Sequence, residues 1–143
     1  MTPVDDIIGP VIEALASELS SISGLGRMYL EPPDGPPEDN SVLFPLSHFK
    51  FEGDTNGKIY VRLGFRITYV VRRSKFPDNI QQCYLMFSSF SKILSSLQNQ
   101  DLGNLSITVT PKDGSVGQFG QAMQAFVVLI LNTEVLTEFN ILQ

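Results

Sequence analysis

Between Lys58 and Arg72 the chain reads KIYVRLGFRITYVVR, its longest stretch of unbroken two-residue period. Ile59, Val61, Leu63, Phe65, Ile67, Tyr69 and Val71 fall on one side of an extended strand, and Lys58, Tyr60, Arg62, Arg66, Thr68 and Arg72 on the other. At about 3.3 Å per residue such a strand reaches roughly 50 Å, where an ordinary strand has about 5 or 6 residues. A slip of one residue would turn the whole apolar row into water, so the register is strongly fixed. Gly64 marks a candidate bulge or bend in its middle.

The neighbouring segments change period around it. Val11, Ile12, Leu15, Leu19 and Ile22 recur at helical spacing, in a helix that either opens at Thr2-Pro3 and kinks at Gly9-Pro10 or begins at Pro10, and that ends at Ser23-Gly24. Arg27 to Leu30 is a short strand candidate leading into EPPDGPPEDN, residues 31–40, whose prolines and acids make a solvated loop. Ser41 to Phe51 reads as an edge strand, because Pro45 lacks a backbone donor, and the turn chemistry of EGDTNG hairpins it onto the long strand. After Arg72 the period becomes helical from Pro77 to Leu97, with Ile80, Cys83, Tyr84, Met86, Phe87, Phe90, Ile93, Leu94 and Leu97 forming the apolar face and serines the other. Leu105, Ile107 and Val109 alternate as a strand, Pro111 to Gly120 reads as a mobile glycine-rich loop, and Gln121 to Leu131 is a strand apolar on both faces. Residues 133–143 read as a C-terminal arm or short helix. The switch from period two to period 3.6 and back predicts an α+β fold, a single mostly antiparallel β-sheet with helices packed on one face.

At 143 residues and 43% hydrophobic content the chain is the size of one domain, 1–143, with ample material for a core. No stretch is long and apolar enough to span a membrane, there is no positively charged leader, and the single Cys83 cannot form an internal disulfide, so a cytoplasmic site of synthesis is expected. The net charge of -5 is unevenly spread. Residues 1–57 hold ten acids against Arg27 and Lys50, whereas residues 58–75 hold six bases and no acid. A basic strand beside an acidic loop can bind nucleic acid, pair within the fold, or meet the acidic face of another copy; the acidic whole disfavours general nucleic-acid affinity.

No catalytic or metal signature stands out. A Cys-His nucleophile needs His48 and Cys83 in contact and an orienting third group, but Cys83 lies on an apolar helical face, where a free thiol behaves as a small hydrophobe, and His48 lies on an edge strand. One His and one Cys cannot hold zinc. The glycines of GSVGQFG lack the strand, helix and Lys-Ser/Thr context of a phosphate cradle, and Asp34, Glu38 and Asp39 lack the spacing of a calcium loop. The expectation is therefore no enzyme, no cofactor and no metal. Lys58, Arg62 and Arg66 share the polar face of the long strand, which must be hydrated, paired with a subunit, or turned to DNA, since burying three unpaired cations would cost several kcal/mol each, roughly. They form a candidate subunit interface with Asp34, Glu38 and Asp39.

The order of parts is an amphipathic helix, YLEPP, LFPL, KIYVRLGFRITYVVR, a helix, LGNLSITV, a glycine-rich loop and AFVVLIL. It resembles the tail terminator proteins of long-tailed bacteriophages over most of the chain, most specifically in Leu102-Gly103 before a strand, the proline-bearing loop after the first helix, and the charged alternating strand before the second helix. The resemblance implies a structural virion protein without catalytic residues, a hexameric ring at the head-proximal end of the tail tube, assembled in the host cytoplasm. Its implied partners are further copies of itself, the tail tube protein, a neck or head-completion protein, and DNA in the channel. The proline-rich, acidic loop 31–40 departs from the family's pattern. Other neck completion proteins, a ligand- or nucleic-acid-binding α+β domain, and an enzyme using Cys83 are the competing readings.

Overall fold

The computed structural model describes residues 8–35, 37–55, 58–72, 78–97, 108–119 and 126–140. The elements in chain order are α1 (Ile8–Leu19), β1 (Met28–Tyr29), β2 (Ser41–Leu43), β3 (Leu46–Thr55), β4 (Lys58–Arg72), α2 (Asp78–Ser96), β5 (Thr108–Phe119) and β6 (Phe126–Asn140). They form an α+β fold in which one sheet runs β1-β2-β4-β6-β5, with β3 also on β4; every pairing is antiparallel except β1 with β2.

β4 is the axis of that sheet, as its alternation requires. It pairs with β6 over its whole length, from Lys58↔Asn140 to Arg72↔Phe126, without a register shift. Directly opposed residues share a face, so the buried row Val61, Leu63, Phe65, Ile67, Tyr69 and Val71 is continued by Thr137, Val135, Thr133, Leu131, Leu129 and Val127 of β6. α1 lays Val11, Ile12, Leu15, Ala16 and Leu19 into the same core, and α2 contributes Cys83, Met86, Phe90, Leu94 and Leu97. Pro10 sits in the first described turn of α1, where a missing N–H costs little; Gly24, at a φ of +87°, turns the chain away after the helix has ended.

The structure corrects five expectations. Ser41 to Phe51 is two strands, broken at Phe44-Pro45: β2 and β3 follow one another along the same side of β4, and the Arg66 N–H donates to the Pro45 carbonyl at 2.9 Å in the gap. The irregularity expected at Gly64 lies instead in β3, where Ser47 is the extra residue, while β4 runs straight; Gly64 is there because a Cβ would occupy the space of the His48 imidazole. Pro111 to Phe119, expected as a loop, is strand β5, with a bulge at Lys112, and Gly114 is required because its Cα packs against the Ile130 carbonyl of β6. Residues 133–140, expected as an arm or short helix, are the continuation of β6. On α2, Tyr84 and Phe87 are 59% and 49% exposed rather than core, and the buried stripe is narrower than the expected face, running through Cys83, Met86, Phe90, Leu94 and Leu97. Leu105, Ile107, Gly120, residues 121–125 and the Asn56-Gly57 turn lie outside the described residues; Thr55↔Lys58 pairing fixes that hairpin connection at two residues.

Candidate assembly surface

The polar face of β4 carries an ion-pair cluster. Lys50 of β3 lies opposite Arg62, and on the other side Gly64 lies opposite Glu134. Arg62 donates from Nε to Glu52 Oε1 at 2.8 Å and from Nη1 to Glu134 Oε2 at 3.4 Å. Lys112 Nζ and His48 Nε2 stand 3.9 and 4.0 Å from the same Glu134 carboxylate. The hydrogen bond from Arg62 holds the Glu52 carboxyl below its ordinary range, and the same bond raises the guanidinium. The His48 ring lies over Gly64 with Nδ1 at 2.9 Å from Ser47 Oγ, and that hydroxyl donates to the Gly64 carbonyl.

Of the residues proposed from sequence for a subunit contact, Arg62 is thus engaged within its own chain. Lys58 is described as a strand position alone, at the hairpin end of β4. Arg66 is exposed and makes no ion pair among the described residues. The loop 31–40 is anchored at its C-terminal end, through residues 38–40. The Glu38 N–H donates to the Tyr29 hydroxyl, Ser41 Oγ donates to the Glu38 carbonyl at 2.6 Å, and the Arg72 N–H donates to Asp39 Oδ1 at 2.8 Å. Asn40, at a φ of +59°, accepts from the buried Tyr69 hydroxyl at 2.6 Å, and burial pushes that phenol up to about 12. Arg27 lies over the Tyr29 ring and 4.0 Å from Glu38. Asp34 stays exposed at the tip, beside a polar hollow of about 750 Å³ shared with Glu13, Glu31 and Glu38. The structure therefore does not bring Asp34, Glu38 and Asp39 to Arg62 or Arg66 within one chain.

Cys83 and His48 are also kept apart. Cys83 is buried beneath α2 on the core side of the sheet, where burial pushes its thiol up to about 11, while His48 stands on the polar side. A raised thiol is the reverse of an activated nucleophile.

Sequence reasoning missed the exposed aromatics. Phe49 and Phe51 on β3 are 59% and 62% exposed and stack edge to face, with ring centroids 5.8 Å apart. On the opposite flank an apolar groove of about 480 Å³ runs between α2 and β5, lined by Phe87, Ser91, Ser95, Val116, Leu129 and Leu131. Tyr84 and Leu85 are exposed on the same helix. The available signal for β3 was alternation: Phe49 and Phe51 repeat at period two on a strand that reads as an edge.

No family model matches the chain, and no curated protein matches it in sequence. Among solved structures it is similar in fold to a chain in the virion of a native gene transfer agent particle, with a TM-score of 0.61 and 14% sequence identity over 93% of this chain and 99% of that one.

Proposed function

We propose that the chain is a structural component of a phage-like virion, a tail terminator that forms a ring at the head-proximal end of a tail tube, ends tube polymerisation and presents a surface to the neck. The observation that carries this reading is the near end-to-end likeness to a virion chain, 93% of one and 99% of the other, which agrees with the family implied by the order of elements. Six copies is the ring size which that family implies. The anatomy suits such a role: a stiff central sheet, long strands ending in free edges, and exposed aromatics in patches that a monomer leaves wet. Within the charged set first proposed as the subunit contact, Arg66 and Asp34 are exposed and their side chains make no ion pair or hydrogen bond among the described residues, whereas Arg62 and Glu38 have ion-pair partners and Asp39 accepts from the Arg72 N–H, so pairing between copies falls on Arg66 and Asp34 before Arg62, Glu38 or Asp39.

The test is to add the purified protein to polymerising tail-tube protein and measure tube length. Arrested growth, with assemblies whose mass is a multiple of 15.8 kDa, is the expected result. Tubes of unchanged length would remove the terminator role, and binding to a neck component in the same preparation would favour a neck completion protein. Arg66→Glu should reduce ring formation, and Asp34→Lys in the same chain should restore it.

A further inference from the structure

Among the described residues three strands have a single partner: the two-residue β1 is bonded only to β2, β3 only to β4, and β5 only to β6; β3 and β5 are the long ones and lie on opposite flanks. β3 is antiparallel to β4, β4 to β6, and β6 to β5, so β3 and β5 run in opposite directions. A rotation that closes a ring keeps every copy in the same orientation and brings the left flank of one against the right flank of the next. β3 of one copy then meets β5 of its neighbour as an antiparallel strand.

The side chains on the two flanks fit that contact. Phe49 lies opposite Leu63 and Phe51 opposite Val61, so both rings project from the helix-covered face of the sheet, yet their own helices leave them bare. The groove between α2 and β5 is on that same face at the other flank, and it is apolar, open, and bordered by the exposed Phe87 and Val116. Resting on the ring reading above, we infer that Phe49 and Phe51 of one copy seat in the α2–β5 groove of the next, with β3 lying along β5. Phe49 is level with Val109 across the sheet, and the groove lies further along β5 at Gly114 to Val116. The copies are therefore staggered by roughly 20 Å along the strand direction, the offset that tilted strands give in a closed ring.

The experiment mixes two single variants, Phe51→Cys and Val116→Cys, under conditions where the wild type assembles, and oxidises them. Both positions are exposed in the monomer, and the wild type with Cys83 alone sets the background. A disulfide-linked dimer should form in the mixture and in neither variant alone. In parallel, Phe49→Ser with Phe51→Ser should lower the assembled fraction at least tenfold at an unchanged melting temperature. Self-linking of Phe51→Cys alone, or wild-type-like rings from the double serine variant, would overturn the contact while leaving the ring standing. If the wild type never exceeds monomer mass, with or without tail-tube protein, the ring reading falls and this contact with it.

Discussion

Phe65 on β4 and Phe51 on β3 project from the same face of the same sheet on adjacent strands, yet Phe65 is fully buried and Phe51 is mostly in water. Both positions obey the two-residue period, and both are the residue type that a core wants. What separates them is coverage: Phe65 lies in the core cluster to which α1 and α2 contribute, whereas Phe51 lies outside that cluster and is 62% exposed. Facing is a property of the strand's register, fixed locally by alternation. Burial is a property of what another element lays on top, decided by contacts far away in sequence.

This contrast can be broken by substitution. Phe65→Ala should cost about 3–5 kcal/mol in chemical denaturation, whereas Phe51→Ala should stay within about 0.5 kcal/mol; equal losses would mean that β3 is covered in the monomer after all. The same comparison repeats on α2, where Phe90→Ala should cost about 3–5 kcal/mol and Phe87→Ala less than about 1 kcal/mol. Thr133 sharpens the point from the polar side. It is buried in the row of Phe65 with its hydroxyl unpartnered among the described residues, so Thr133→Val should raise stability by about 1 kcal/mol, and a loss would reveal a hydrogen-bond partner. The smallest effect belongs to the polar face. Glu52 has its carboxyl held low by the hydrogen bond from Arg62, so its contribution is present above the unfolded value near 4.5 and is lost as pH falls through the lower folded value. Glu52→Gln should lower the melting temperature slightly at neutral pH and match the wild type in acid, so that the acid limb of a pH series is flatter; an equal slope in both proteins would remove Glu52 from the acid response.

The parts of the fold legible in the sequence were those whose signal is local. The β4 alternation, the helical spacing of Val11 to Leu19, and the hairpin turn each bring their own period or turn chemistry. The C-terminal half of β6 hid because its core-facing row alternates Thr133, Val135, Thr137, and two threonines do not look like a core; Val135, Leu136 and Phe139 instead mimic a helical face. Gly114 and Pro111 read as loop residues, although one is needed for close approach to the Ile130 carbonyl and the other sits at a bulge. Among the site residues, the polar-face location of Arg62 and Arg66 followed from alternation. The partner of Arg62 did not, because Glu134 lies 72 residues away in sequence. The aromatic patches required knowing where α2 stops covering the sheet.

The uninterrupted register between β4 and β6 has a mechanical meaning. Lys58 pairs with Asn140 and Arg72 with Phe126, so the strands are joined along roughly 50 Å. A force drawing the two strands past one another must strain the whole ladder at once, whereas a force lifting one end can open it a pair at a time. The chain is accordingly a plank that resists sliding load along its length far better than peeling at its tips.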